Sequence, residues 1–344
     1  MTTATTTPRV PVDRDPRVSL TRMTGSPVLR LVVKRLLMAI PIMLGVTILT
    51  YWVLSLIPGN AAQQLLGPEA TPEDIAQLEE QLGLNRSGVA RYFDWLGGAL
   101  TGDLGNSMVS RQPVSDVLGD RLPVTVELVV LAFVVSLVLA IPVALAAAHR
   151  PNGLFDRISM FVSTAGLSVA NYVLALVLVL VFAVQLGVLP AIGYTPLSDG
   201  VGDNLRGMIL PSAAIGIPLF CFYARFLRGD LVDQLQQEEY ITTARAKGIG
   251  PWQVLLRHAF RNSSFGLITV VGLNLGALIG GTVIIEQIFS LPGIGQLLLQ
   301  AINTRDVVVV QAVVVIFALV AVVANLVVDL LYAVLDPRIR HDSR

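Results

Sequence analysis

The stretch VVVVQAVVVIFALVAVVANLVVDLLYAVL, Val307 to Leu335, is broken only by Gln311, Asn325 and Asp329. A helix needs about 20 mostly apolar residues to cross the hydrocarbon core of a bilayer, and this run exceeds that length. Working back along the chain, similar runs recur at about 265–285 and at 208–227, the latter with Arg225 near its end. Others lie at about 158–189, long and more polar in its first half, at 128–148 with Glu127 on its edge, and at 36–57, free of charge. One such run fits a buried core helix; a series in one chain predicts an all-α integral membrane protein of six spans.

Composition agrees. The 344 residues are 54% hydrophobic and only 14% charged, with a mean hydropathy of +0.71. Soluble domains carry about 25% charged residues. Formal net charge is zero, so no basic field points to nucleic acid. Cys221 is the sole cysteine, which excludes an intrachain disulfide or a thiolate metal cluster, and no metal site is expected.

Arg and Lys near the span ends orient the chain. Arg30, Lys34 and Arg35 precede span one; Arg150 and Arg157 lie between spans two and three. Arg228, Arg245, Lys247, Arg257 and Arg261 lie between spans four and five, and Arg338, Arg340 and Arg344 follow span six. These segments and both termini are expected in the cytoplasm. The acid-rich segment 58–123 then faces outward. Within it, Thr71 and Pro72 read as the cap and first turn of a helix that Gly83 ends, and 91–100 as a second amphipathic helix. Residues 1–28 and 336–344 read as cytoplasmic tails, the first as disordered. Residues 29–121 read as span one plus an outer subdomain, and 122–335 as the permease core.

The loop 229–262 holds the run Glu239-Tyr-Ile-Thr-Thr-Ala-Arg-Ala-Lys-Gly248, then Gly250-Pro251 and a second periodic stretch to Asn262. It predicts a short helix, a glycine stop and a second helix starting at Pro251. Small residues Thr243, Ala244 and Ala246, beside Arg245 and Lys247, would let another protein approach closely. On these grounds an ordinary helix–turn–helix loop and a force-receiving element stand level.

Thr243-Ala-Arg-Ala-Lys-Gly248, followed by Leu255-Leu-Arg-His-Ala259 and Arg261-Asn262, resembles the EAA loop of ABC importer permeases, in the variant carried by the B-type permeases of dipeptide and oligopeptide importers. The resemblance extends to Arg35-Leu-Leu, Ile57-Pro-Gly-Asn60, Leu82-Gly-Leu84, Trp95-Leu-Gly-Gly98, Gly102-Asp-Leu-Gly-Asn-Ser107, Arg121-Leu-Pro-Val-Thr-Val-Glu-Leu128, Phe289-Ser-Leu-Pro-Gly-Ile-Gly295 and the ending 329–340. Thr242 and Thr243 depart from the general Glu-Ala pattern. Ser263-Ser264-Phe265 stands where a proline is common, which leaves the bend into span five open.

The resemblance implies the type I importer architecture. A second homologous permease would complete the pore, and two ATPase subunits, holding ATP and Mg, would grip Glu239, Thr243, Ala244, Arg245, Ala246, Lys247 and Gly248. An extracytoplasmic binding protein would deliver a di- or oligopeptide; a nickel chelate, glutathione or sugar is the alternative cargo. Location in the bacterial inner membrane follows. The residues support the division of labour independently: no Gly-x-x-x-x-Gly-Lys-Ser/Thr loop occurs, so this chain is expected to bind no cofactor and to be no enzyme.

Polar residues in the spans should face the bundle or a water-filled path. Ser163, Ser168 and Asn171 in span three, Asn274 in span five, and Gln311 and Asn325 in span six are pathway candidates, with interhelical packing as the alternative. Glu127 and Glu286, at the outer ends of spans two and five, stand either as mouth-lining groups for a peptide amino group or as interfacial charges in water. The turn at Pro292 and Gly293 is a candidate outer gate. Gly272, Gly276 and Gly280 form a ridge for close packing against span six or the partner subunit. An intramembrane serine protease is disfavoured, since the spans hold no His or Lys base. An ion-coupled carrier is the competing class, though spans one to five lack a central carboxylate.

Overall fold

The computed structural model describes residues 27–56, 61–67, 70–81, 83 and 85–335. Ile57-Pro-Gly-Asn60, Leu82, Leu84 and the tail residues 1–26 and 336–344 lie outside the described residues. The described chain is helical, apart from an isolated bridge between Asn106 and Pro113.

Helices α1 (Pro27–Leu56), α5 (Val114–His149), α8 (Val201–Gln237) and α13 (Val307–Leu335) contain the runs long and apolar enough to cross a membrane. Between α1 and α5 lie α2 (Ala61–Leu66), α3 (Pro72–Gln81) and α4 (Gly88–Thr101). Two bent helix pairs bring the count to the expected six if each pair is one span. The first joins α6 (Leu154–Ser168) to α7 (Asn171–Leu178), which continues as a π-helical stretch to Gln185. The second joins 251–276, made of α10 (Pro251–Val254), a π-helical turn over Leu255–Ala259 and the first part of α11 (Phe260–Ile288), to 280–288 at the end of α11, with a bend of 66° between them. Helices α9 (Glu239–Ala246) and α12 (Ile294–Asn303) are short and lie at opposite ends of the bundle.

Several expectations need correction. Span three is not one continuous helix over 158–189: Val169 and Ala170 are extended, and the chain turns by 103° there. The hydroxyls before the break satisfy their own helix, Ser168 donating to the Thr164 carbonyl and Thr164 to that of Met160. Helix α1 starts at Pro27, so residues 27–28 belong to it and not to the tail. Helix α8 runs on to Gln237, its extension packed against the bundle through the buried Leu231 and Val232; the first part of the 229–262 loop is thus span four prolonged. The missing proline near 263 leaves no sharp bend, since the π-helical turn leads α10 straight into α11.

The helix capping was legible. Thr71 Oγ1 accepts from the Asp74 N–H at 3.2 Å, and the Asp74 carboxylate accepts back from the Thr71 N–H, a reciprocal box that starts α3. Gly83 follows α3 with φ +66°.

The core is the contact of α5 with α8, where Leu128, Ala132 and Ala140 meet Met208, Ile215, Tyr223 and Leu227. Gly216 permits it: a Cβ there would sit 3.0 Å from the Ala132 carbonyl oxygen. In lipid, such packing rather than water exclusion holds helices together. The glycine ridge of α11 meets α13, with Gly272 against Val328 and Gly276 against Ala321; Gly280 has open space beside it and takes no part. Arg35 donates to Asp329 at 2.9 Å and pins α1 to α13. Thr47 and Tyr92 share a 2.8 Å hydrogen bond that seats α4 on α1.

Candidate functional site

The elbow formed by α9, Gly248 and α10 is built as its sequence predicts. The N–H groups of Gly248 and Ile249 donate back to the Arg245 and Ala244 carbonyls, closing a Schellman motif. Gly248 has φ +77°, a conformation that side chains with a Cβ resist. Pro251 occupies the first turn of α10.

Burial sorts the residues of the run. Ile241 and Ala244, one turn apart, are buried and seat α9 on the bundle. Glu239, Thr243, Arg245, Ala246, Lys247 and Gly248 are exposed. Ala244, expected among the residues a neighbour would touch, instead faces this chain's own core, because the i, i+3 spacing puts it on the Ile241 face.

Three contacts hold the elbow to the spans. Gln234 of α8 accepts through Oε1 from the Tyr240 hydroxyl at 2.5 Å and from the Asn262 amide at 3.0 Å, joining α8, α9 and α11. Burial pushes the Tyr240 hydroxyl above its ordinary pKa. Trp252 stacks on His149, the last residue of α5, with centroids 4.2 Å apart and planes 17° from parallel. Nearby, Arg228 of α8 donates from Nε and Nη2 to both carboxylate oxygens of Asp156 on α6, at 2.8 and 2.5 Å. The Asn152 N–H adds a third bond to that carboxylate, which is 3% exposed.

The opposite end, around α12, is organised by two other buried carboxylates. Glu286 is fully buried. Its Oε1 accepts from the Thr125 hydroxyl at 2.7 Å and its Oε2 from the Gln296 N–H at 2.9 Å. Glu286 is therefore neither an interfacial charge in water nor free to meet a peptide amino group. Asp306 accepts from Ser107 Oγ at 2.5 Å and from the Val309 N–H at 3.3 Å, capping α13 and tying segment 105–113 to it. Arg121 donates to the Gln296 side chain at 3.3 Å. Glu127 is half-buried and accepts from the Tyr194 hydroxyl at 2.9 Å. Burial first, and then that carboxylate, push the Tyr194 pKa up to about 12. In the candidate gate turn, Gly293 is buried and Pro292 half-buried.

Residues 140–341 match the family of binding-protein-dependent transport system inner membrane components, and residues 28–129 match the N-terminal region of such components. The chain belongs to this family. It is similar to a permease protein of Brucella abortus assigned to a peptide transport system, at 40% identity over 91% of this chain and 99% of the relative. It is likewise similar to the dipeptide transport system permease protein of Alkalihalophilus pseudofirmus, at 37% identity over 90% of this chain and 98% of that one. The glutathione transport system permease protein of Escherichia coli is 37% identical over 91% of this chain and 99% of its own length.

Within this inner membrane component the pathway candidates do not gather into one site. Ser163 is buried in a crevice near the elbow, with Ala144, Ala224 and Arg228. Ser168 is exposed, and Asn171 is half-buried at the start of α7. Asn274 is half-buried and donates to the Val270 carbonyl of its own helix. Gln311 is buried near the α12 end of α13, its Nε2 without a hydrogen-bond partner, whereas Asn325 is exposed toward the other end.

Sequence reasoning missed the roles of Asp156, Thr125, Ser107 and Asp306, and the His149–Trp252 stack. One was findable: an Asp directly before the Val307 run is a good N-cap. The others join residues far apart in the chain, and no local pattern announces them.

Proposed function

We propose that this inner membrane component is one permease half of an ATP-driven peptide importer. The observation that carries the reading is the elbow, a short helix seated by Ile241 and Ala244 that turns Thr243, Arg245 and Lys247 outward. Such an element suits gripping by a neighbouring protein, and its bonds to α5, α8 and α11 suit transmission of that neighbour's movement to the spans. The neighbours in this reading are two ATPase subunits that hold ATP and Mg. A second homologous permease completes the pore, and a binding protein docks at the α12 end. The elbow and both termini face the cytoplasm, as the Arg and Lys distribution favours. The relatives' names support a peptide cargo, and glutathione, itself a tripeptide, falls within that chemistry. Ser168, Asn171, Asn274 and Asn325, exposed or half-buried, are the polar groups this reading offers to a passing peptide backbone; Ser163 and Gln311 are buried.

The test is uptake of a labelled dipeptide by vesicles holding the purified complex, with its binding protein on one side and ATP on the other. Gly248→Glu should abolish uptake: it strains the left-handed residue by about 1 kcal/mol and puts a charge on the gripped face. Uptake at the normal rate by that variant, or uptake driven by an ion gradient without ATP, defeats the reading.

A further inference from the structure

The Glu286 carboxylate is fully buried, yet no Arg or Lys pairs with it among the described residues. Its surroundings are donors. The Ile294 N–H donates to Thr125 Oγ1 at 2.9 Å, so the Thr125 hydroxyl is oriented to give its own proton to Glu286 Oε1. The Gln296 N–H, in the first turn of α12, points at Oε2. The Gly295 N–H and the Thr282 hydroxyl add to the set. The N-terminal turn of α12 faces the carboxylate and presents its N–H groups to it. The chain closes tightly around the group: a Cβ at Gly293 would collide with the carboxylate, and one at Gly295 would lie 3.0 Å from its Oε2 and collide with Val283 Cα at 2.6 Å.

These bonds make a ring. It runs from Glu286 on α11, through the turn 289–293, to α12, then across Arg121 and Thr125 to α5 and back to Glu286. We propose that Glu286 is a positioning residue that locks the turn 289–293 and α12 to spans two and five, so that the docking face for the binding protein moves as one rigid plate with those spans. The assignment of that face to the binding protein rests on the importer reading above; the locking itself does not.

The locking is measured by hydrogen exchange of the amides of Ile294 and Gln296 in the purified complex, without substrate. Glu286→Gln places amide hydrogens among donors, and both amides should exchange about tenfold faster. Thr125→Val should have the same effect at smaller size, and Thr125→Ser, which keeps the hydroxyl, should behave as wild type. The second readout is ATPase stimulation by the binding protein loaded with tri-alanine. A loosened plate raises the binding-protein concentration at half-maximal stimulation, whereas a loss of folded protein lowers only the maximal rate. Unchanged exchange in both Glu286→Gln and Thr125→Val overturns the proposal, as does a fall in maximal rate with no shift in half-saturation. If neither variant assembles while Thr125→Ser does, Glu286 is a folding determinant alone and the proposal also fails. If the wild-type complex ignores the loaded binding protein, the peptide reading falls instead, and the exchange experiment still decides the locking.

Discussion

The α12 end and the elbow end of the molecule are held in opposite ways. At the α12 end, buried carboxylates accept from backbone N–H groups and hydroxyls of other elements: Glu286 fully buried, Asp306 2% exposed. At the elbow end, α9 rests on the buried Ile241 and Ala244, and the side chains that tether the elbow to the spans are more open. Tyr240 is 37% exposed and Trp252 48%. Buried, fully bonded polar groups rigidify what they join. Exposed contacts let a segment open locally at small cost. The difference teaches that this fold carries a stiff cap on one side and a seated lever on the other. A part that must be gripped and moved by a neighbour belongs on the second kind of mounting.

The largest effect that would break this comparison lies at the root of the lever. Asp156→Ala leaves the Arg228 guanidinium without its bidentate partner, 2.8 and 2.5 Å away. The Arg228 side chain is 20% exposed, so losing these charge-assisted bonds costs about 2–3 kcal/mol and the purified protein should melt earlier. A melting temperature equal to wild type would mean that the lever's root is not fixed by this pair.

Next comes the cap. Asp306→Ala deletes the α13 N-cap and the Ser107 bond together, at a cost of about 2 kcal/mol. Hydrogen exchange should rise over 105–113 and at Val309, with α9 unchanged. Equal rises at both ends would dissolve the distinction between them.

The stack at the lever is worth less. Trp252→Ala should cost about 1 kcal/mol of local stability and should speed exchange in α10. Phenylalanine at 252 should restore most of the protection, since the ring–ring contact is what the lever uses.

The smallest effect concerns pH. The Tyr194 hydroxyl titrates at about 12 in the folded chain and at about 10 when unfolded. The neutral phenol's contribution is therefore complete below about pH 10 and is lost as pH rises through about 12. Tyr194→Phe should remove one tyrosine from the late part of the ultraviolet titration. Stability of that variant should fall less steeply over the same alkaline range. A late component left unchanged by Tyr194→Phe would mean that burial and Glu127 do not hold the Tyr194 hydroxyl neutral.

Much of the lever was legible, because its signals are local: Gly248 for a left-handed stop and Pro251 for a first turn. The cap was not. Thr125 and Glu286 are 161 residues apart, and Ser107 and Asp306 are 199 apart. Read singly, Glu286 looked like an ordinary interfacial charge. The break at Val169 and Ala170 was also invisible, since neither residue type is a helix stop by itself.

The sequence alone determined the class of molecule and the shape of the elbow. Span length, charge bias and turn chemistry act over a few residues to a few turns, and each leaves its mark in the string. Only the tertiary structure decided which polar groups are buried together, that Ala244 faces inward and that span three is broken. Those outcomes depend on which helix faces become neighbours, and that is set by packing across the whole bundle.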